Sequence, residues 1–211
     1  MIIYLTRHSQ TIWNEEKRLQ GRLDSPLTAN GIKNAEALKE YIHNYSIDYI
    51  YSSPTLRAYH TAEIVFPDHN IIKDKRLLEM DFGTLEGRKI SDILKTDYEL
   101  YHQLWNEPEL FQGIPQGESY EDVIKRLQSF IHDLKKLPDQ STVMIVTHGM
   151  CFIVLFSLFM GYEKKDYVKI NQKVVDGCSL TCIHYKNDQF ELQYYNECSY
   201  LPFRSNETFA K

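Results

Sequence analysis

The chain has 211 residues, of which 43% are hydrophobic and 25% are charged, and its formal net charge is −5. This composition is ordinary for a globular protein with one sizeable core. The negative charge, and a sequence without a Lys/Arg run, argue against nucleic acid or an anionic membrane as a partner.

Two further features of the sequence indicate the expected cellular location of the protein. The longest apolar run, residues 150–160, is too short to span a bilayer, and the N-terminus has no signal-peptide pattern. The cysteines show no zinc-ligand spacing, so we expect free thiols, no bound metal and a cytoplasmic location. They are Cys151, Cys178, Cys182 and Cys198.

Strand and helix patterns alternate through the first half of the chain. They fall at residues 1–5, 47–52 and 71–73 (strands) and 29–44 (a helix capped by Thr28), with a polar loop at 13–25. Arg7 and His8 directly follow the first strand. Ser53 and Pro54 follow the second strand and are typical of a helix N-cap and first turn. Arg57 is therefore expected in the opening turns of that helix.

The second half continues the alternation. An irregular helical insertion is predicted at residues 88–117. Helices are predicted at 118–137 and 150–160, and strands at 142–147, 180–185 and 190–195. The turn at 186–188 joins the last two strands as a hairpin, and the residues from about Phe203 are expected to form a loose tail. We predict a single α/β domain over residues 1–211. It is a three-layer α/β/α sandwich with a mostly parallel, mixed central sheet and a cap-like insertion at about 88–117.

Charged side chains follow three of the predicted strands. Arg7 and His8, Arg57, and His148 come from distant parts of the chain but are expected at one edge of a parallel sheet, where such folds bind ligands. Guanidinium groups match phosphate oxygens in pairs, so this set favours a site for a tetrahedral dianion. The alternatives are structural: Arg7 could pair with a buried carboxylate, His8 could be a core histidine, and His148 could cap the next helix.

Five stretches of sequence follow the order of one known family. They are 7–31 (with Arg7-His8-Ser9-Gln10-Thr11, Asn14, Gln20-Gly21 and 26–31), 52–62, 78–87, 117–119 and 146–149. Together they resemble the histidine phosphatase superfamily, the phosphoglycerate-mutase-like proteins. One departure is Ser9, which stands where the family usually has glycine. A serine there fits if its φ is negative, and its hydroxyl could then donate to phosphate.

The resemblance implies a role for each residue of the cluster. His8 is the expected nucleophile, which forms a phosphohistidine while its other ring nitrogen donates to a backbone carbonyl. Arg7, Arg57 and His148 are expected to hold the phosphoryl oxygens without a metal or another cofactor. Glu79 is expected to protonate the leaving oxygen and then to activate water.

Other residues are assigned with alternatives. By the same resemblance, Asn14, Gln20, Gly21 and Gly149 are expected to complete the phosphate site with further hydrogen bonds. Two more carboxylates lie close to Glu79 in the sequence, Asp81 and Glu86, and either could be the proton donor on sequence grounds alone. For Glu86, which precedes a glycine, a hydrogen bond to backbone at a turn is the expected role. Glu118 and Ser119 are expected to begin a helix near the site.

The insertion favours one branch of the family over another. Mutases of this superfamily carry a longer, Arg-rich insertion after the third stretch, whereas residues 88–117 here contain a single arginine, Arg88. We therefore expect a phosphatase acting on a small phosphorylated substrate. The alternatives are phosphoglycerate-mutase-type transfer and a regulatory phosphate binder without catalysis. A homodimer is possible on sequence grounds.

Overall fold

The computed structural model describes residues 1–171 and 175–204, and within them the chain forms one mixed sheet with helices on both faces. The strands are β1 (Ile2–Arg7), β2 (Tyr49–Ser52), β3 (Ile71–Lys73), β4 (Thr142–Thr147), β5 (Leu180–Lys186) and β6 (Gln189–Glu197). The helices are α1 (Ile12–Glu15), α2 (Ala29–Tyr41), α3 (Leu56–Val65), α4 (Ile90–Thr96), α5 (Tyr98–Asn106), α6 (Tyr120–Leu134), α7 (Gly149–Met160) and α8 (Tyr167–Asn171), with 3₁₀ turns at Lys75–Leu77, Gly83–Leu85 and Lys164–Asp166.

The order of the strands explains why the charged residues meet. The sheet runs β3-β2-β4-β1-β5-β6, with β3, β2, β4 and β1 parallel and β5 and β6 antiparallel to their neighbours. The carboxyl ends of β2, β4 and β1 are therefore adjacent at one edge. The predicted α/β fold with a mostly parallel, mixed sheet is confirmed.

The central strand β4 shows why its sequence is a continuous apolar run. Val143 and Ile145 pack in the larger core cluster, with α6, α7 and residues of α4 and α5. Met144 and Val146 pack on the other face, with α2 and α3. Successive side chains of a strand point to opposite faces, so a strand covered on both faces needs apolar residues at every position.

The insertion at 88–117 packs into the larger of these clusters. Its helices α4 and α5 contribute the buried side chains Ile93, Tyr101, Leu104 and Trp105. The hydroxyl of Tyr120, at the start of α6, donates to the carbonyl of Leu104 at 2.6 Å. These contacts hold α5 over the edge of the sheet where the strands end.

Three local predictions differ from the structure. The polar loop at 13–25 contains the end of a short helix, α1, which Thr11 caps. Helix α3 begins at Leu56, after Thr55, so Ser53 is not its N-cap. Phe203 is anchored, because its backbone N–H and carbonyl both bond the side-chain amide of Asn34; residues 205–211 of the predicted tail lie outside the described residues. Across residues 1–171 and 175–204, no helix is long and apolar enough to cross a membrane.

Candidate active site

Three strand ends bring the predicted cluster together. Arg7 ends β1 opposite Thr147, which ends β4, and the backbone N–H of His8 donates to the Thr147 carbonyl at 2.8 Å. The backbone N–H of Ser53, just after β2, donates to the carbonyl of Val146 at 3.0 Å. The phosphate cluster, by which we mean Arg7, His8, Arg57 and His148, is buried, with no member more than 5% exposed.

His8 is held in one tautomer. Its Nδ1 lies 2.7 Å from the carbonyl oxygen of Ser9, an acceptor, so Nδ1 carries the proton and Nε2 keeps its lone pair. That lone pair accepts from Nε of Arg57 at 3.3 Å. Burial, followed by the charges of Arg57 and Arg7, lowers the pKa of His8 well below 6.5. The imidazole is therefore neutral at neutral pH.

Arg57 is fixed by partners on every side of its guanidinium. Nη1 donates to the carbonyl of Leu23 at 2.9 Å and to Oδ1 of Asp24 at 3.1 Å, while Nη2 donates to the carbonyl of Gly21 at 2.7 Å. Asp24 also accepts from the backbone N–H of Leu56, so it caps helix α3 in place of Ser53. Asp24 therefore sets both the first turn of α3 and the orientation of Arg57.

The ring of His148 contacts the hydroxyl of Ser53, the residue predicted to cap helix α3. Its Nε2 lies 2.7 Å from the hydroxyl of Ser53 and 3.4 Å from that of Thr55. The rings of His148 and His8 are 5.1 Å apart between centroids. Within the described residues, Nδ1 of His148 has no hydrogen-bond partner although it is buried. Burial, with Arg57 as the next cause, lowers the pKa of His148 well below 6.5.

The carboxylate of Glu79 lies against the N-terminus of helix α7. Its Oε1 accepts from the backbone N–H groups of Met80 and Cys151, and its Oε2 accepts from that of Met150, at 2.8 to 2.9 Å. Burial is the largest influence on its carboxyl group and raises the pKa above 4.5, although these hydrogen bonds and Arg57 oppose the shift. A carboxyl with a raised pKa, beside a cavity, is suited to proton transfer.

The two alternative proton donors have other partners. Glu86 accepts from the backbone N–H groups of Arg22, Leu23 and Phe82 at 2.7 to 3.1 Å, the backbone role expected for it. Asp81 accepts from the backbone N–H of Gly83 at 2.9 Å. Neither side chain lines the cavities around His8, whereas Glu79 does.

Two small cavities meet at Arg7, His8 and Asn14. The first, which we call the main cavity, is lined by Arg7, His8, Asn14, Arg18, Leu19, Gln20, Glu79, Phe82, Trp105, Gly149 and Met150. The second is lined by Arg7, His8, Gln10, Asn14, Asn34, Gly177, Phe203 and Arg204. The sequence analysis did not assign Arg18, Asn34, Phe203 or Arg204 to the site, because each of them reaches it only through tertiary packing.

Of the other residues predicted for the site, three line the main cavity and one, Gly21, holds Arg57 from outside it. Asn14, Gln20 and Gly149 line the main cavity. Gly21 does not: its carbonyl holds Arg57, and a Cβ there would lie 2.2 Å from Oε1 of Glu86, so only glycine fits without a shift. The loop around Gly21 therefore orients the guanidinium from behind.

Ser9 causes no backbone strain. Its φ is negative, so no left-handed conformation is required of it. Its backbone N–H donates to the hydroxyl of Thr61 at 3.2 Å. The side chain is fully buried and lines neither of the two cavities, so its hydroxyl is not placed to meet a ligand there.

Comparison with known proteins gives the chain its family. The family model of the histidine phosphatase superfamily (branch 1) matches residues 3–198. A protein of Proteus mirabilis (strain HI4320) named probable phosphoglycerate mutase GpmB is 34% identical over 187 residues, 88% of this chain and 85% of that protein.

Two solved structures agree with this match. Bacillus stearothermophilus YhfR superposes with a TM-score of 0.88 at 32% identity, over 95% of this chain and 98% of its own. A putative alpha-ribazole-5'-P phosphatase of Escherichia coli K-12 superposes with a TM-score of 0.82 at 27% identity, over 93% of this chain and 97% of its own. The sheet, the cluster at its strand ends and these matches agree: the chain belongs to the histidine phosphatase superfamily.

Proposed function

We propose that this protein is a metal-independent phosphomonoesterase that hydrolyses a small phosphorylated metabolite through a phosphohistidine on His8. The observation that carries the proposal is the state of His8. It is neutral at neutral pH, keeps a lone pair on Nε2, and lines a cavity together with Arg7 and Glu79. A neutral imidazole with a fixed tautomer is a competent nucleophile at phosphorus.

In the first step, Nε2 of His8 attacks phosphorus and the bond to the leaving oxygen breaks. Nε of Arg57, which bonds Nε2 in this structure, donates instead to a phosphoryl oxygen as the P–N bond forms, while Nη1 and Nη2 keep their partners. Arg7 and His148 hold further oxygens, and the donor of His148 is its buried Nδ1, which has no hydrogen-bond partner among the described residues. These groups balance the charge that a metal ion balances in many phosphoryl-transfer enzymes.

Glu79 completes both steps as acid and then base. Its raised pKa keeps part of the carboxyl protonated above pH 4.5, so it can donate to the leaving oxygen. After the alcohol departs, the carboxylate accepts a proton from the water that attacks phosphorus, the P–N bond breaks, and His8 returns to its neutral form. The backbone N–H groups at the start of α7 stabilise the carboxylate in that second step.

The second candidate is phosphoglycerate-mutase-type transfer, which the names of the curated relatives favour. A mutase must hold a phosphorylated product while water is excluded. Of the cations in residues 88–117, Arg88 pairs with Asp97 at 2.8 Å, and none of Arg88, Lys89 and Lys95 lines the main cavity, so the insertion itself adds no cation there. This supports hydrolysis. The cytoplasmic location and the possible homodimer stay predictions.

Two measurements test the proposal. Purified protein is incubated with an aryl phosphate in excess EDTA, and released phosphate is followed. We expect turnover, and a ³²P-labelled substrate should leave an acid-labile label on wild type that His8→Ala lacks. Wild-type activity in His8→Ala would exclude the mechanism. Conversion of 3-phosphoglycerate to 2-phosphoglycerate, without phosphate release, would assign the protein to the mutases.

A further inference from the structure

The main cavity carries a cation that the proposed chemistry does not use. Nε of Arg18 donates to Oε2 of Glu16 at 2.5 Å, and Nη1 donates to the carbonyl of Gly87 at 2.8 Å. Within residues 1–171 and 175–204, no group is hydrogen-bonded to its Nη2. Two anchors therefore hold a guanidinium at the cavity with donors to spare, since arginine has five.

Four apolar side chains line the main cavity together with Arg18. We call Leu19, Phe82, Trp105 and Met150 the cap-side wall, because they line the main cavity together with Arg18. Each is at most 3% exposed, so the ligand that fills this space meets packed apolar surface. Such a wall favours an apolar or aromatic body in the leaving group.

The same cavity lacks a carboxylate for a cationic ligand. Among the described residues that line it, Glu79 is the sole carboxylate, and both its oxygens already accept backbone N–H groups. An ammonium group on the leaving alcohol would thus face Arg18, and the carboxylate beside that arginine, Glu16, does not line the cavity. The pair between Arg18 and Glu16 is partly exposed, 34% and 44%, and exposed pairs are weak, so Glu16 can give way to a ligand.

We propose that Arg18 is a specificity-determining residue that selects phosphomonoesters whose alcohol part carries a carboxylate beyond an apolar body, and disfavours those that carry an ammonium. This deepens the proposed function and rests on it for the position of the phosphoryl group. The carboxylate accepts from the free edge of the guanidinium, and the apolar body packs on the cap-side wall.

Binding of phosphonates, which are not hydrolysed, tests this selection apart from catalysis. The probes are 4-carboxybenzylphosphonate, 4-(aminomethyl)benzylphosphonate and the neutral 4-methylbenzylphosphonate, each titrated by calorimetry. For wild type we expect the carboxylate to bind on the order of tenfold more tightly than the ammonium, as for one charge-assisted hydrogen bond. Arg18→Gln should bring that ratio close to one and leave affinity for the neutral probe unchanged.

Arg88→Gln is the matched control. Arg88 is exposed to the same degree as Arg18, 33% against 34%, and its carbonyl accepts from the backbone N–H of Leu19, the residue after Arg18, but it does not line the main cavity. We expect this variant to keep the wild-type ratio. An equal ratio in wild type, no change in Arg18→Gln, the same loss in Arg88→Gln, or no binding of any probe would each overturn the proposal. Failure of the proposed function would appear separately, as absent turnover of an aryl phosphate with the binding ratio intact.

Discussion

The phosphate cluster and the cap-side wall are built in opposite ways, although Arg7 and His8 of the cluster line the same cavity as the wall, with Arg57 and His148 behind them. The cluster consists of charged side chains at strand ends, and interlocking hydrogen bonds fix Arg57 and His8. The wall consists of apolar side chains from a loop, a turn and two helices, with one partly exposed arginine at its side. We therefore expect the cluster to carry out the same chemistry on every substrate, and the wall to determine which substrates bind more tightly.

The largest effect is expected from His8→Ala. Loss of the proposed nucleophile should lower kcat by about 10⁴-fold or more with every substrate, because His8 is the sole histidine among the described residues that line the main cavity. Steady-state rates with an aryl and an alkyl phosphate measure this. A loss of activity with only one of the two substrates would contradict the view that the cluster acts on all substrates alike.

Glu79→Gln is expected to act through the leaving group. With an alkyl phosphate, whose leaving oxygen needs a proton, kcat should fall about 10³-fold, and with 4-nitrophenyl phosphate it should fall far less. The basic limb of the pH profile should also disappear, since a carboxyl with a raised pKa loses its proton as pH rises. Glu86→Gln, outside the cavity, is the control; it should reduce stability without any dependence on the leaving group.

Arg57→Lys tests whether charge alone is enough. A lysine ammonium cannot bond His8, Asp24 and the carbonyl of Gly21 in the geometry of a guanidinium fork. We expect kcat/KM to fall about 10²-fold for all substrates. Arg76→Lys, at another arginine that pairs with aspartates but lies away from both cavities, should change kcat/KM little. Equal effects of the two variants would contradict the assignment.

Trp105→Leu addresses the wall. We expect KM to rise several-fold for aryl phosphates and to change little for a small alkyl phosphate, because the variant removes apolar contact surface and leaves the cluster intact. The indole is 2% exposed, so unfolding should also become easier by about 2 kcal/mol. Denaturant titration and substrate kinetics give the two values. A uniform fall in kcat would show that the wall positions the cluster.

The smallest effect concerns pH and stability. The pKa of His148 in the folded protein lies well below 6.5, its value in the unfolded chain, so the unfolded chain binds more protons at acidic pH. The free energy of unfolding should therefore fall as pH decreases below about 6.5 and stay constant above it, as far as this residue contributes. His148→Asn should flatten that slope, whereas His132→Asn, on the exposed side of α6, should not. Urea titrations between about pH 5 and about pH 8, the range in which histidine changes its charge, measure the slope.

Much of the fold was predictable because local patterns and tertiary structure agree. The continuous apolar run of β4 indicated a strand covered on both faces, and the charged residues after β1 and β4 indicated the edge where a ligand binds. Position along a strand determines the edge of the sheet at which a residue lies. Arg7, His8 and His148 therefore could be brought together from sequence alone.

The partners of those residues were decided by tertiary structure. Ser53 has the sequence context of a helix cap, but its hydroxyl bonds His148, while Asp24, 32 residues before Leu56, caps helix α3. No local pattern encodes such pairs, because they depend on how two loops approach each other in space.

The choice of proton donor among the three acidic residues was likewise left open by the sequence and decided by the tertiary structure. The family resemblance pointed to Glu79, but sequence chemistry alone left Asp81 and Glu86 open, because all three are carboxylates in one irregular segment. Packing separates them: Glu79 is buried at the start of α7 beside the main cavity, and Glu86 ties two loops together. Sequence determined which residues could do the chemistry. Only the packing of loops, the cap and α7 around the strand ends decided which of them face the cavity, because burial and contact distance arise from the whole chain.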